Sequence, residues 1–509
     1  MPATGADVLV AALEALGVHA VFGLPGVHNL PAWEALRESP IRLIGVRHEQ
    51  AAVYAADGFA RATGQLGVAI VTTGPGAANT LAATGEAWAS GSPVLVVATD
   101  IPSTLRRPGE YRGVLHECTD QAGMFAPVTK AQFAWPDVQP AIAAALATPT
   151  RPVYLEIPTD LLTAPASVGP ENADSRPFRG PRVDVGWTER PLVWAGGGAK
   201  DREDEVIEIA ESLGAPILTS YGGRGVAGTH ELSVGLPPHI PEAGELWDQA
   251  DLVIVVGSDL DGINTQNFKQ PQPPRIIALN ATPITNYDIE TYADSLSLKA
   301  GNRRPWANPQ ALRATALARL KDEHPTEMAF LDAFADAVPE GAVIAADMCI
   351  PGYWIAALHQ FTRPRQLLYP MGWGTLGFGF PAAMGPAAAG IRTVSVNGDG
   401  GFLFACGELA TVAQQGLPLT IVIVDDGGYG MLRYDQRHAG KAEFGVNLTR
   451  PNFADLGESF GIPSVHVPDF GKDFKAALNS EPPNLVVVDA VMDPPPTTSP
   501  RWYRTSQLR

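Results

Sequence analysis

Asn397-Gly398-Asp399-Gly400-Gly401, followed at the end of the next apolar run by Asp425-Asp426-Gly427-Gly428, decides how the rest of this 509-residue chain is read. Glycines let backbone N–H groups approach a phosphate and a short carboxylate grips a hard cation, so the first stretch fits a turn that holds a diphosphate through a divalent metal. Alone, a Gly-Asp-Gly turn is equally a plain strand-to-helix connection. The second acidic element favours the chemical reading, because Asp426 stands 27 positions after Asp399. That spacing predicts a strand ending at Asp399, a helix over 406–416, and a second strand over 419–424. The second strand delivers Asp426 beside Asp399 at the carboxyl edge of a parallel sheet.

Outward from this turn, short β-branched runs alternate with Ala-rich helical stretches, the pattern of α/β units around parallel sheets. Runs at 68–71, 94–98 and 153–157 predict a first unit, 1–165. A proline-, glycine- and acid-containing stretch, 164–190, reads as a linker. Strands at 192–195, 217–219, 252–256 and 276–279 predict a central Rossmann-like unit, 187–305. Strands at 343–346, 394–396, 419–424 and 485–488 predict a third unit, 325–495, which carries the acidic turns. The tail, 496–509, cannot form a core of its own, and is expected either to fold over a site or to be loose. Gly196-Gly197-Gly198 follows a strand but lacks the G-x-G-x-x-G register and an acidic residue placed for a ribose, which disfavours a nucleotide there.

Composition bounds the function. With 45% apolar and 18% charged residues the chain is ordinary globular material of about three domains. Residues 1–20 read as an amphipathic helix rather than a signal peptide, and no run approaches 18 strongly apolar residues, so a cytoplasmic protein is expected. A net charge of −18 argues against nucleic-acid and anionic-membrane partners. Cys118, Cys349 and Cys406 have neither an even count nor metal-ligand spacing and are read as small buried residues.

The two acidic elements, with other motifs spread over nearly the whole chain, resemble the thiamine-diphosphate enzymes that decarboxylate or ligate 2-oxo acids. In that family a Gly-Asp-Gly turn is followed at this distance by an Asn, commonly within Asn-Asn. The resemblance implies Mg²⁺ held by Asp399, Asp426 and the Gly428 carbonyl, with Gly400, Gly401, Tyr429, Gly430 and Met431 around the diphosphate. The chain departs from the pattern in having Asp425-Asp426 for Asn-Asn, an extra negative charge facing phosphate. Val21-Phe22-Gly23-Leu24-Pro25-Gly26, Arg47-His48-Glu49-Gln50 and Thr72-Thr73-Gly74-Pro75-Gly76-Ala77-Ala78-Asn79 match the pyrimidine-binding half in order and spacing. By resemblance Pro25, Thr72 and Asn79 line that half. Glu49 would share a proton with the aminopyrimidine so that its amino group can take the C2 proton. Gly372-Trp373-Gly374-Thr375-Leu376-Gly377 looks like the segment that bends the cofactor, with Leu376 as the apolar wedge and the Gly374 carbonyl as an acceptor. The resemblance further implies a homodimer or homotetramer with the site between subunits. FAD, bound by acetolactate synthases against the equivalent central domain, is not expected, because Ser258-Asp259-Leu260-Asp261 departs from their sequence.

The fate of the carbanion left when carbon dioxide departs from the 2-oxo acid defines the reaction: protonation yields an aldehyde, whereas attack on a second carbonyl makes a carboligase such as acetolactate synthase. His28, after the Pro25-Gly26 turn, is a candidate for proton transfer or for the substrate carboxylate. Arg112-Gly113-Val114-Leu115-His116-Glu117-Cys118-Thr119-Asp120-Gln121, with the motifs around His28 and Glu49, resembles the 2-oxoarginine (5-guanidino-2-oxopentanoate) decarboxylase branch. There Glu117 and Asp120 are candidates to meet a cationic substrate tail, and His116 is a second proton donor. Leu432 stands where pyruvate decarboxylases carry a catalytic Glu and is expected to line an apolar wall with Met431. A decarboxylase is the first expectation and a carboligase the second. A cofactor-binding but inactive homologue is the third, motivated by Asp425-Asp426.

Overall fold

A computed structural model describes residues 2–107, 109–167, 181–280, 282–298 and 301–502. Its strands are all parallel and fall into three main sheets flanked by helices, the three-unit α/β architecture expected. The first sheet contains β1 (Ala20–Gly23), β2 (Arg42–Gly45), β3 (Gly67–Val71), β4 (Val94–Asp100), β5 (Gln132–Ala134) and β6 (Val153–Pro158), in the order β2-β1-β3-β4-β6-β5. β7 (Arg182–Asp184) precedes the central sheet, which is built from β8 (Pro191–Ala195), β9 (Ile217–Thr219), β10 (Leu252–Val256), β11 (Ile276–Leu279) and β12 (Thr291–Tyr292). β7 pairs separately with β13 (Ser295–Ser297). The third sheet comprises β14 (Val343–Ala346), β15 (Leu367–Leu368), β16 (Thr393–Gly398), β17 (Leu419–Asp425), β18 (Ser464–Val467) and β19 (Asn484–Asp489), ordered β15-β14-β16-β17-β19-β18.

The first and third sheets therefore share one strand order. The end of β3, with Thr72 and Gly74 beyond it, is the counterpart of the end of β16, which opens onto Asp399. The helices between their second and third strands, Glu49–Thr63 and Gly379–Ala388, pack directly on one another. Small side chains permit the approach: a Cβ on Gly58 would lie 2.0 Å from the Ala382 carbonyl oxygen, and one on Gly385 2.2 Å from that of Ala55. Both helices are buried along most of their length, in a core that includes Val343, Ala345 and Leu419 of the third sheet.

Several expectations need correction. Residues 1–20 do not form one helix: Gly5–Ala15 is helical, Gly17 turns with φ +77°, and Ala20 opens β1. The helix expected over 406–416 is a short 3₁₀ turn, Cys406–Glu408, running into Leu409–Gln415. The central sheet, ordered β12-β11-β10-β8-β9, has the flavodoxin-type order rather than that of the Rossmann fold. Residues 168–180 of the expected linker lie outside the described residues, and its later part forms β7. The three cysteines are free and half-buried rather than buried. The described part of the tail is neither loose nor folded over the acidic turns. It docks on the central unit, where Arg501 donates from its backbone N–H to Gln266 Oε1 at 2.8 Å and pairs with Asp248 at 2.5 Å. Residues 503–509 lie outside the described residues.

Candidate functional site

β16 and β17 run side by side, with Gly398 opposite Val424, so Asp399 and Asp426 emerge together at the carboxyl edge of the sheet. They open into a cavity of about 240 Å³ also lined by Gly374, Leu376, Gly400, Gly401, Gly428, Tyr429, Gly430, Met431 and Leu432. The residues quoted for the diphosphate half, for the wedge and for the apolar wall thus share one cavity. Leu432 is half-exposed at its edge.

The carboxylates of this cavity have the chemistry to hold a cation. Asp399 is 1% exposed and neither of its carboxylate oxygens has a hydrogen-bond partner. Burial, reinforced by Asp426 and Asp425, pushes its carboxyl up to about 7. Burial likewise raises Asp426, against the lowering effect of Arg433, whose Nη2 lies 2.5 Å from Asp426 Oδ1 as an ion pair. The contact lacks hydrogen-bond alignment, which leaves Oδ1 without a directed donor. A divalent ion between the two aspartates would relieve both strains. Among the described residues there is no cluster of three or more His, Cys, Asp or Glu side chains suited to a metal. The site offers two carboxylates and a carbonyl, which suits Mg²⁺, an ion that takes its remaining ligands from water and phosphate. Glycine is required at the turn: Gly428 has φ +148° and a Cβ there would lie 2.2 Å from the Val446 carbonyl oxygen, while one on Gly430 would lie 1.9 Å from Asp426 Oδ2.

Glu49 begins its helix at the edge of the first sheet, 7% exposed, and Asn79 Nδ2 donates to its Oε2 at 3.0 Å. A Cβ on Gly76 would come within 3.4 Å of Glu49 Oε1, and one on Gly26 within 2.6 Å of Thr72 Cβ, so the three motifs of this half converge. Thr72 Oγ1 is buried without a partner. Pro25 is exposed on the preceding turn, which Asn29 locks by accepting from the Gly26 N–H at 2.7 Å and donating to the Leu24 carbonyl at 3.0 Å. His28 and His116, 88 positions apart, meet edge to face with ring centres 5.3 Å apart, each with an unpartnered Nδ1. Burial, helped by His116, holds His28 below the usual imidazole range. His116 sits in the left-handed region, φ +66°.

None of these residues lines the cavity of Asp399, whose walls all lie between Met348 and Met492. Among the described residues, Glu49 and its neighbours thus form one group and the Asp399 cavity another. Glu117 and Asp120 each use one carboxylate oxygen within their own loop. Glu117 Oε2 accepts from the backbone N–H groups of Arg112 and Val114, and Asp120 caps the short helix Gln121–Phe125 through Gly123.

Sequence reading missed several contributors. Met348, Cys349, Ile350, Pro351 and Tyr353 line the cavity; they follow β14, and the rule that ligands gather beyond the carboxyl ends of parallel strands points to them. Asp347, fully buried and pushed up to about 6 by burial, accepts from the Gly377 and Phe378 N–H groups and so fixes the end of the wedge segment. Glu86 fixes its start, accepting from the Trp373 N–H at 3.1 Å. Glu408, in the third unit, accepts from the N–H groups of Arg47 and His48 and anchors the approach to Glu49. No local pattern around Glu86 or Glu408 announces these long-range contacts.

Two half-sites on sheets of one topology, the first presenting a buried Glu and the second a diphosphate-type acidic turn, define a thiamine-diphosphate-binding fold. The chain belongs to the thiamine pyrophosphate enzyme family: residues 3–124 match its N-terminal thiamine-pyrophosphate-binding domain, 187–291 its central domain and 348–489 its C-terminal thiamine-pyrophosphate-binding domain. It is 33% identical to a probable 2-ketoarginine decarboxylase of Pseudomonas aeruginosa, over 90% of this chain and 88% of that protein. It is 30% identical to a probable acetolactate synthase large subunit of Methanocaldococcus jannaschii (96% and 92% covered). It is also 30% identical to the large subunit of acetolactate synthase isozyme 2 of Escherichia coli (95% of both). Decarboxylase and carboligase chemistry both fit this family. Among the described residues no helix is long and apolar enough to cross a membrane.

Proposed function

We propose that this thiamine-diphosphate enzyme is a Mg²⁺-dependent, non-oxidative 2-oxo acid decarboxylase that releases an aldehyde and carbon dioxide. The observation that carries the choice is the paired, partly desolvated imidazoles of His28 and His116 on the same half-site as Glu49, a proton source suited to the carbanion carbon, which a carboligase joins to a second carbonyl instead of protonating. When bound, the cofactor supplies the carbon nucleophile and the electron sink for decarboxylation. Asp399, Asp426 and the Gly428 carbonyl hold the metal, and Leu376 and Gly374 shape the cavity. Glu49, fixed by Asn79, would hold an exchangeable proton toward the cofactor's pyrimidine end, and His28 and His116 would deliver one to the product carbon.

The separation of the two half-sites supports a homodimer or a dimer of dimers, each site combining Glu49 of one subunit with the Asp399 cavity of another. We place the domain limits at 1–165, 187–305 and 325–495, with 496–509 as a tail, and the protein in the cytoplasm. A 2-oxo acid with a cationic tail, as the name of the Pseudomonas relative suggests, is the first substrate to try. Glu117 and Asp120, each engaged in its own loop through one carboxylate oxygen, remain the candidates to meet that tail through the other. Incubation with 2-oxoarginine, pyruvate and benzoylformate separately tests the assignment. Aldehyde from at least one acid is expected, and acetolactate from pyruvate with no aldehyde from any acid overturns it.

A further inference from the structure

Asp425-Asp426 puts two carboxylates beside Asp399, with Asp426 lining the same cavity as Asp399, and each of the two is met by an arginine. Arg450 Nη1 lies 2.5 Å from Asp425 Oδ1. Arg433 Nη2 lies 2.5 Å from Asp426 Oδ1 and donates to the Asp426 carbonyl oxygen at 2.6 Å. Both partners of the second pair are largely buried, with side-chain exposures of 12% for Arg433 and 16% for Asp426, so solvent screens it weakly. One segment organises both contacts. Gly428 bridges Asn447, the Tyr429 N–H donates to the Val446 carbonyl, and the Leu448 N–H donates to that of Gly427. Asn447 Oδ1 accepts from Arg433 Nη1 at 3.3 Å, and the same segment ends at Arg450. The cross-connection lays 446–450 over the acidic turn.

We propose that Arg433 and Arg450 are built-in counterions of the acidic turn, and that Arg433 is the positioning residue that lets Asp426 act opposite a diphosphate. Three carboxylates and two guanidiniums carry one net negative charge, the same as one Asp beside a neutral Asn-Asn pair. The turn thus keeps the charge balance of its family although its residues differ. Removing Arg433 leaves an uncompensated buried carboxylate that repels the phosphates, and neutralising Asp426 as well restores the balance.

The inference rests on the cofactor reading, and binding rather than turnover tests it. Full-length wild type, Arg433→Ala, Asp426→Asn and the double variant are titrated with thiamine diphosphate at fixed Mg²⁺, with melting temperature and tryptophan fluorescence as readouts. Arg433→Ala is expected to raise the half-saturating concentration by about tenfold or more, and the double variant to return to within about threefold of wild type. Arg433→Met, which keeps the stem and drops the charge, gives the same comparison if the alanine variant does not fold. Wild-type binding by Arg433→Ala, or a double variant no better than the single, overturns the counterion role. A wild-type protein that binds no magnesium thiamine diphosphate overturns the cofactor reading and the inference with it.

Discussion

Glu49 is the residue whose role is most exposed to test, because its surroundings separate chemistry from structure. Its carboxylate is buried and held by a single side-chain donor, Asn79, and a Gln can accept the same bond. Glu49→Gln therefore preserves the fold and removes only the exchangeable charge. Turnover is expected to fall by ~10²-fold or more, with the melting-temperature rise on adding magnesium thiamine diphosphate retained; near-normal turnover refutes the assignment. His28 is the second case. Its ring rests against His116 and its backbone carbonyl, not its ring, accepts from Thr159, so truncation leaves the turn intact. His28→Ala is expected to slow aldehyde formation by ~10²-fold while carbon dioxide release from a single turnover falls less. A change below about twofold makes it a packing residue. Glu49, Asp399 and Asp426 could be read from sequence because each sits in a short motif at a fixed spacing. Glu86, Glu408 and Arg433 could not, since each acts across an interval that only the folded chain closes.

At the scale of elements, the strands buried on both faces were legible almost to the residue: 217–219, 252–256, 276–279 and 343–346 coincide with β9, β10, β11 and β14. A continuous β-branched run has one outcome in a parallel sheet. The strands that escaped notice are mostly short or at edges, such as β2, β5, β15 and β18, whose sequences lack such a run. The packing of the helices Glu49–Thr63 and Gly379–Ala388 was equally hidden, because small residues mark a close approach only once the partner is known. That packing yields a prediction whose sign discriminates. In a free helix, Gly→Ala stabilises by about 1 kcal/mol. At Gly58 the new Cβ would lie 2.0 Å from the Ala382 carbonyl oxygen. Gly58→Ala is instead expected to destabilise by about 1–3 kcal/mol in chemical denaturation, and a stabilised variant would show that the two helices do not meet as described.

For the molecule as a whole, the junction between the central and third units sets how stability depends on pH. Helix Ile350–Leu358 ends there, and Arg224 and Arg313 donate to the carbonyls of Ala357, Leu358 and His359. His359 lies under this pair, and burial, with Arg224 and Arg313 adding to it, pushes its imidazole down to about 4. His239, beside Arg501 of the docked tail and packed on Tyr221, is also pushed down to about 4 by burial. Because both folded values lie below the unfolded value of 6.5, the unfolded chain takes up protons first as pH falls. The stability contributed by the neutral rings is complete above pH 6.5 and is lost progressively down to pH 4, on the order of 3 kcal/mol for each. Asp347 works in the opposite sense: its folded value of about 6 lies above the unfolded 3.8, so acidification through that window relieves a buried charge. Asp399, pushed up to about 7, acts in the same sense as Asp347, so the histidine contribution is read from the difference between wild type and a variant rather than from the wild-type curve alone. Between pH 6.5 and 4 the melting temperature of wild type is expected to lose ground relative to that of His239→Gln, which cannot be protonated, while the two differ little at pH 8. An identical slope in the variant would mean that the tail and the central unit part before His239 is ever protonated.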